Sequence, residues 1–348
     1  MVEANNFELN KNVKTKLILD YTDDIETSIH ITFGVPTFGR DSTLKETLDS
    51  IVALKGLEKI NYEIIVVDNS ADFSDNNKTK RLLNSNKYAN LKYYINEINI
   101  GMEGNFNRIF LLAKGKFVSL VHDDDLLHDT YLECVSRMLD SIDDSDRFGF
   151  LKVKYQIFNS ADNLPELKDT RLILDKCSLL KSMLAGIGPT WTPSCGMLFD
   201  REAVINCGGF CPDLFPSSDH AIGIVMLNKG YRGYETIDPL AFYRIGINES
   251  MKLATIKGFI EKDTFIRSYM YSLKWYGNIF SQLFERTLYC ERIDFWISYA
   301  KRRFDMDISQ EQLDFQGQYG NHKIGCFLLR VLRKTNRIIG KTIRSRNT

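Results

Sequence analysis

The sequence has no excess of either charge, no ordered cysteine pattern and no long apolar run. Lys and Arg together number 45, as do Asp and Glu, so net charge indicates no partner. The seven cysteines lack the spacing of a zinc site, which predicts reduced thiols. No stretch approaches the roughly 20 apolar residues that cross a bilayer, and the N-terminus lacks the apolar segment of a secretion signal. These absences argue against zinc modules, disulfide-stapled domains and membrane-spanning proteins, and they predict a cytoplasmic location.

Proline is scarce, and none of the seven follows Pro239. Apolar residues at helical spacing follow it, so we predict a helical C-terminal region over 249–348. Its last part, 321–348, has eight Lys or Arg and no acid, interleaved with apolar residues. Such an amphipathic helix can lie on an anionic membrane, at the inner face of the cell membrane. The alternative is a helix packed on the rest of the chain or on a second subunit of a homo-oligomer.

Nucleic acid is not an expected partner, because stacking aromatic residues and a recognised binding module are both missing. The polar residues 1–29 are predicted to form an N-terminal extension, packed on a domain or partly loose. After them, strands and helices alternate. The predicted strands are His30–Val35, Tyr62–Val67, Leu91–Ile95 and Lys116–Val121, and the predicted helices cover 42–54, 78–85 and 106–114. This alternation predicts an α/β fold with a mainly parallel sheet flanked by helices.

Three of these strands end in polar residues. Thr37 and Arg40 follow the first, Asp68 the second, and the run 123–125 of three aspartates the fourth. Ligands of such sheets bind at the carboxyl ends of the strands, so we expect these side chains to meet in one crevice.

The three adjacent carboxylates would repel one another in a dry site unless a cation were bound there. Mg²⁺ and Mn²⁺ prefer oxygen ligands and often bind through one or two carboxylates together with substrate phosphates. The alternative interpretation is a solvated acidic turn that caps a helix beginning near Leu126. The surrounding motifs favour the metal.

Taken in order, the motifs resemble those of the family 2 inverting glycosyltransferases, which have a GT-A fold. The matching segments are Pro36-Thr37-Phe38-Gly39-Arg40, Ile64-Ile65-Val66-Val67-Asp68-Asn69-Ser70, Asn99-Ile100-Gly101 with Asn105, and His122-Asp123-Asp124-Asp125. The resemblance implies a catalytic domain over 30–248, with a nucleotide-binding half over 30–125 and an acceptor half over 126–248.

The resemblance also implies roles for single residues. The donor site would consist of Pro36, Thr37, Phe38, Arg40, Asp68, Asn99, Gly101, Asn105, Asp123 and Arg244. Within it, Asp68 would contact the base, Asp123 the ribose and Arg244 the diphosphate. Asp124 and Asp125 would hold Mg²⁺ or Mn²⁺, with Asp124 the first ligand because His122 aligns with the family's first aspartate.

On the acceptor side, Gly208-Gly209-Phe210 and Ser218-Asp219 resemble the family's segments, with Ser218 replacing a glutamate. Asp219 would be the general base, and its alternative role is to cap a helix from Ala221. Ser218, His220 and Trp191 would contact the acceptor, although Trp191 could equally pack in a core. Gly246 stands where relatives have a metal-binding histidine, which makes metal dependence uncertain and leaves His122 and His220 as substitutes.

The resulting expectation is an enzyme that transfers a sugar from a nucleotide-sugar, with UDP as the nucleotide. The acceptor would be a saccharide or lipid-linked saccharide of a bacterial surface polysaccharide such as O-antigen or capsule. Two alternatives stay open. One is a nucleotidyltransferase-like enzyme, although the sequence lacks a Gly-rich, Lys-containing phosphate loop after the first strand. The other is a non-catalytic nucleotide-sugar-binding relative.

Overall fold

The computed structural model of the chain describes residues 4–22, 29–142, 147–161, 164, 174–185, 194–245, 252–305, 327–328 and 331. One sheet of ten strands runs through this part of the chain, with helices on both of its faces. The strands are β1 Thr15–Asp20, β2 Ile31–Thr37, β3 Tyr62–Asp68, β4 Leu91–Asn96, β5 Phe117–Leu120, β6 Leu126–Leu127, β7 Phe148–Phe158, β8 Leu174–Lys176, β9 Met197–Asp200 and β10 Arg232–Arg244.

The helices follow the predicted alternation and continue into a helical C-terminal region. They are α1 Ser42–Val52, α2 Lys78–Asn86, α3 Gly101–Leu112, α4 Tyr131–Ser141, α5 Leu179–Ala185, α6 Arg201–Asn206, α7 Ser218–Asn228, α8 Leu253–Ser272 and α9 Trp275–Phe304. None of these helices combines the length and apolar character that crossing a membrane requires. The predicted α/β fold with a C-terminal helical region is confirmed, but the sheet is mixed rather than mainly parallel, with four parallel and five antiparallel strand pairs among the described residues.

The order of the strands in the sheet determines where the crevice lies. The sheet runs β1-β4-β3-β2-β5-β9-β7-β10-β6, with β8 also paired to β10. Strand β2 pairs in parallel with β3 on one side and with β5 on the other. The chain therefore winds from β2 through β3 to β4, then returns to add β5 across β2. In an open α/β sheet such a reversal opens a ligand crevice beyond the carboxyl ends of the two strands.

The side chains of strand β3 show that both faces of the sheet are covered. Its apolar run is continuous rather than alternating, as expected of a parallel strand buried on both sides. Ile64 and Val66 belong to one hydrophobic cluster, and Ile65 and Val67 to the cluster on the opposite face. On neighbouring β2, a Cβ atom at Gly34 would lie 2.3 Å from Cγ2 of Ile109, so the glycine lets α3 pack directly against the strand.

The N-terminal extension is more ordered than its sequence suggests. Strand β1 pairs antiparallel with β4 and forms the edge of the sheet. Before it, a short 3-10 helix over Asn6–Asn10 is fixed by the backbone N–H of Asn6, which donates to the carbonyl of Gly208 at 2.8 Å. Because the strand is only half buried, its side chains carry little of the apolar alternation by which strands are recognised.

Candidate active site

A cavity of about 840 Å³ opens at the predicted crevice. Its floor is the ends of β2, β3 and β5, and its sides come from the starts of α3 and α7 and from the helices α8 and α9. Twelve of the predicted site residues line it: Pro36, Thr37, Phe38, Arg40, Asn99, Gly101, Asn105, Asp123, Asp124, Ser218, Asp219 and His220. The fold therefore brings eight of the ten predicted donor residues and the predicted base into one cavity.

The acidic segment is held by partners from the β2 loop. The Thr37 hydroxyl donates to Oδ2 of Asp123 at 2.6 Å. Nη1 of Arg40 lies 2.6 Å from Oδ2 of Asp124 and 3.2 Å from Oδ1 of Asp123. Burial raises the pKa of Asp123 to about 6, although the Arg40 cation acts in the opposite direction. The guanidinium thus offsets part of the repulsion within the aspartate run.

Asp125 is fully buried and does not line the cavity. Its Oδ1 accepts a hydrogen bond from the backbone N–H of Arg244 at 2.9 Å, whereas Oδ2 has no hydrogen-bond donor and lies 3.4 Å from Nδ1 of His122. Burial raises the pKa of Asp125. For His122, burial lowers the pKa, but the neighbouring Asp125 more than offsets it, so the net shift is upward.

These groups fit a divalent cation. One ligand atom from each of His122, Asp124 and Asp125 lies within 4.8 Å of the other two, and the undonated Oδ2 of Asp125 is a free acceptor among them. On the far side of the imidazole, Nε2 of His122 lies 2.9 Å from the Ser194 hydroxyl, the type of outer contact that orients a histidine ligand. Two carboxylates and one imidazole are groups that can bind a divalent cation.

Two predicted donor residues have other partners. Asp68 is completely buried. Its Oδ1 accepts from the backbone N–H of Ser70 at 2.8 Å and of Gly39 at 3.2 Å, and its Oδ2 accepts from the Tyr93 hydroxyl at 2.8 Å. We therefore revise its role from a contact with the base to a residue that shapes the loops after β2 and β3. The neighbouring Asn69 lines the cavity instead.

Arg244 is the second revision. Its guanidinium pairs with Glu46, donates through Nε to the backbone carbonyl of Asp124 at 2.8 Å, and lies 4.4 Å from the centre of the Phe158 ring. It is buried and does not line the cavity. Because the N–H groups of the Arg244 guanidinium are directed to these partners, Arg244 stabilises the aspartate segment and does not face a diphosphate.

Asp219 lies in the first turn of α7, which begins at Ser218 rather than at Ala221. Its side chain lines the cavity and keeps 16% of its surface exposed. Burial raises its pKa to about 6, against the lowering influence of His220. At neutral pH such a group is ionised yet has a higher proton affinity than an ordinary aspartate, which suits a general base.

A buried glutamate that carries no recognisable signal in the sequence supports this turn. Oε1 of Glu103, from α3, accepts from the Ser218 hydroxyl at 2.9 Å. Burial raises the pKa of Glu103 to about 7, and the charge of Asp219 acts in the same direction. Because Glu103 and Ser218 are 115 residues apart, only the folded chain reveals the pair.

A second group of partners comes from the C-terminal helices. Asp263 of α8 accepts through Oδ1 from the Ser217 hydroxyl at 2.9 Å, and the same oxygen lies 3.1 Å from Nδ1 of His220. Its Oδ2 accepts from Nη2 of Arg292, on α9, at 2.6 Å. Burial would raise the pKa of Asp263, but His220 and Arg292 hold it well below its usual range. The carboxylate therefore fixes the imidazole beside Asp219.

Several predictions concern residues outside the described part of the chain. Trp191 and Gly246 both lie there, as does most of the tail 321–348. Within that tail, the described side chains of Phe327, Leu328 and Val331 are exposed.

Comparison with known proteins gives one family. A family model described as "Glycosyl transferase family 2" matches residues 32–201. A curated relative, the uncharacterized protein MT1568 of Mycobacterium tuberculosis (strain CDC 1551 / Oshkosh), is 23% identical over 206 residues, which are 54% of this chain. The match spans only 59% of that relative's length.

Solved structures show the same fold. The chain is similar to Staphylococcus aureus TarS 1-349 in complex with UDP-GlcNAc, with a TM-score of 0.53, 16% identity, and coverage of 82% of this chain and 85% of that one. It is also similar to the mannosyltransferase PcManGT from Pyrobaculum calidifontis in complex with GDP-Man and Mn²⁺. That match has a TM-score of 0.51, 12% identity, and coverage of 93% and 88%.

Proposed function

We propose that the chain, whose residues 32–201 match the model of glycosyl transferase family 2, is a glycosyltransferase that transfers a sugar from a UDP-sugar to a saccharide acceptor with inversion. The acceptor is free or lipid-linked and belongs to a surface polysaccharide such as O-antigen or capsule. One observation carries the proposal: a single cavity joins Asp219 with its raised pKa to the cluster around Asp124. UDP as the nucleotide is supported by the likeness to a structure that holds UDP-GlcNAc.

The donor is expected at the end of the cavity formed by the β2 loop. There Pro36, Phe38 and Asn99 offer a surface for a base and ribose, and Arg40 is a cation suited to phosphate oxygens. Mg²⁺ or Mn²⁺, if bound, would be held by His122, Asp124 and Asp125 and would supply positive charge against the diphosphate. A carboxylate-rich site otherwise repels such an anion.

The reaction itself requires one proton to be removed. The carboxylate of Asp219 accepts the proton of the acceptor hydroxyl while that oxygen forms a bond to the anomeric carbon of the donor sugar. The bond from that carbon to the diphosphate oxygen breaks on the opposite face, and the nucleoside diphosphate leaves with the bonding electrons. Attack and departure on opposite faces invert the anomeric configuration. His220, held by Asp263, keeps the turn that carries Asp219 in place.

A panel of UDP- and GDP-sugars tests the proposed donor. The full chain is incubated with each donor, Mn²⁺ and methyl pyranosides as acceptors, and nucleoside diphosphate release is measured. We expect release from at least one UDP-sugar. Release from GDP-sugars alone would replace UDP as the nucleotide, and no release from any donor, with no nucleotide bound, would contradict the function.

The pKa of Asp219 predicts the acid limb of the pH profile. The base works as the carboxylate, so kcat/KM should be constant above pH about 6 and fall about tenfold per pH unit below it. The charged or titratable groups around it are His122, His220, Glu103 and Asp263. Rates measured from pH 5 to 8 test this prediction. The limb should persist in Glu103→Gln, and a rate that stays constant down to pH 5 would contradict it.

We also propose that the tail 321–348 binds an anionic membrane, as a lipid-linked acceptor would require. Its eight basic residues, its lack of acids and its exposed apolar side chains support this, since each surface cation adds about 1 kcal/mol. We expect the full chain to sediment with phosphatidylglycerol vesicles but not with phosphatidylcholine vesicles, and a chain ending at residue 320 to sediment with neither. Equal sedimentation of the truncated chain, or none of the full chain, would contradict the proposal.

A further inference from the structure

The cavity continues past Asp219 to a wall that belongs to the C-terminal helices. Phe259 of α8 and Phe295, Trp296 and Tyr299 of α9 line it together with the donor residues. The rings of Phe259 and Trp296 are parallel, with centroids 4.4 Å apart and planes 10° apart. Those of Phe295 and Tyr299 are also stacked, with centroids 5.9 Å apart. The four residues thus form one continuous aromatic surface, called the aromatic wall below.

The kinds of residue in the cavity distinguish a sugar from a lipid chain. Among the described residues that line it, the apolar side chains are aromatic rings, two prolines and Met102, with no Leu, Ile, Val or Ala. A groove for an acyl or prenyl chain has no reason to exclude branched aliphatic side chains. Aromatic faces mixed with hydroxyl groups instead match a pyranose ring, which has a flat face of C–H bonds and hydroxyls at its edge. Tyr299 and Thr255 supply such hydroxyls at the wall.

The sheet contributes a smaller aromatic pair to the cavity. Tyr155 of β7 and Tyr243 of β10 line the cavity with ring centroids 5.3 Å apart. Lys152, also on β7, lines it but is paired with Glu235 at 3.3 Å. The cavity therefore has aromatic side chains from both the sheet and the helices.

A chain of polar contacts fixes the aromatic wall relative to Asp219. Nη2 of Arg292 binds Asp263, and Asp263 binds Ser217 and His220, the residues on either side of Ser218 and Asp219. The same guanidinium lies 5.0 Å from the centre of the Phe295 ring and 5.3 Å from that of Trp296. Since side chains three or four residues apart share a helix face, each helix presents its wall residues beside its polar anchor.

Close backbone packing reinforces this arrangement. A Cβ atom at Gly258 would lie 2.9 Å from Cδ of Pro216, so α8 lies directly on the segment before α7. Pro216 itself lines the cavity. The distance between the aromatic wall and the base is thus set by contacts that leave little slack.

We propose that the aromatic wall is the acceptor subsite and that it takes a pyranose ring of a saccharide, whose C–H face packs on Phe259, Phe295 and Tyr299. The proposal rests on the proposed function, because it is the donor at the other end of the cavity that makes this space an acceptor site. The bound ring presents one hydroxyl to Asp219. A lipid-linked acceptor would be recognised here by its sugar and not by its lipid.

The test uses the full chain saturated with UDP and Mg²⁺, because paramagnetic Mn²⁺ would broaden the signals of a pyranoside in the same cavity. The probes are methyl pyranosides of glucose, galactose, mannose and N-acetylglucosamine, with saturation-transfer NMR as the measurement. We expect at least one pyranoside to bind and to receive saturation mainly on the C–H protons of one ring face. In the double variant Phe259→Leu/Phe295→Leu, which keeps apolar volume but removes the rings, the affinity should fall about tenfold or more.

Matched controls lie on the same helices but outside the cavity. Phe265 of α8 is 43% exposed and Trp275 of α9 is 79% exposed, so Phe265→Leu and Trp275→Leu should leave pyranoside affinity unchanged. The UDP affinity of the double variant should equal that of the wild type, which also shows that it is folded. A single Tyr299→Leu variant gives a second, milder test in the same direction.

Three results would overturn the proposal. They are unchanged pyranoside affinity in the wall variants, no saturable binding of any pyranoside, and binding of decyl phosphate that is lost in the wall variants while pyranosides do not compete with it. Failure of the proposed function looks different, since there neither UDP nor GDP would bind at the β2 end.

Discussion

Replacing Asp219 with Asn is expected to lower kcat for sugar transfer by about 10²- to 10⁴-fold, the usual contribution of a general base. The amide keeps the shape of the carboxylate, and its oxygen can still accept from the backbone N–H of His220, as Oδ1 of Asp219 does at 2.9 Å. What it loses is the ability to take the acceptor's proton. The dissociation constant for UDP should not change, because the nucleotide is expected at the end of the cavity formed by the β2 loop.

Stability provides an internal check on this variant. The folded-state pKa of Asp219 is raised to about 6. At pH values between the unfolded-state and folded-state pKa, the folded protein therefore binds more protons than the unfolded chain. Above pH about 6 the ionised carboxylate of Asp219 lowers the stability of the folded state. At pH 7.5, Asp219→Asn should unfold at the same or a higher temperature than the wild type.

The matched control for Asp219 is Asp213, an exposed aspartate six residues earlier. Asp213→Asn should leave kcat, donor affinity and unfolding temperature unchanged. An Asp219→Asn variant that transfers sugar at the wild-type rate would refute the base assignment. A variant that loses both activity and thermal stability would point instead to a structural role for Asp219 at the start of α7.

Replacing Asp124 with Asn should abolish the dependence of UDP affinity on Mn²⁺. Asp124 is one of the three residues whose ligand atoms cluster, and an amide is a much weaker ligand than a carboxylate. We expect Mn²⁺ to tighten UDP binding to the wild type by at least about tenfold, or about 1.4 kcal/mol, and to have no effect on the variant. Calorimetric titration with and without Mn²⁺ measures both ratios.

The contact between Arg40 and Asp124 sharpens this prediction. Without a donor, Nη1 of Arg40 lies 2.6 Å from Asp124, so a cation bound there competes with the guanidinium. In Asp124→Asn this contact weakens, and metal-free UDP binding should be equal to or tighter than that of the wild type. Asp129→Asn is the control, since the side chain of Asp129 is 45% exposed and pairs with Lys55. An Mn²⁺ enhancement that persists in Asp124→Asn would contradict the metal assignment.

The sequence predicted the sheet and the place of its crevice because those features are local. The apolar run of β3 and the polar residues after β2, β3 and β5 are visible in short windows of sequence. Three elements were harder to predict. Strand β1 is half exposed. Helix α3 begins at Gly101, but its first turn is polar, and the prediction therefore started it near residue 106. Strand β9, which lies antiparallel between β5 and β7, was not among the four strands predicted from the alternation of strands and helices.

Some site residues could likewise be predicted from the local sequence, and others could not. Thr37, Arg40, Asp123 and Asp124 could be predicted because each follows a strand whose end position fixes where it points. The roles of Asp68 and Arg244 needed revision, since both lie at strand ends but are turned inward to buried partners.

Partners that come from distant elements left no local pattern to recognise. Glu103 meets Ser218 across 115 residues, and Asp263 meets His220 across 43. Asn69 lines the cavity and was also missed, but the sequence could have indicated it, because it directly follows Asp68, a predicted strand-end residue.

A crystal structure of the chain with UDP and Mn²⁺ tests most directly whether the cavity is a metal-dependent donor site. We expect an anomalous manganese peak in contact with Asp124 and with at least one of His122 and Asp125. We also expect the diphosphate between this ion and Arg40, and the uracil against the segment Pro36–Arg40. A nucleotide bound elsewhere, or manganese that avoids the aspartate run at saturating concentrations, would contradict this assignment.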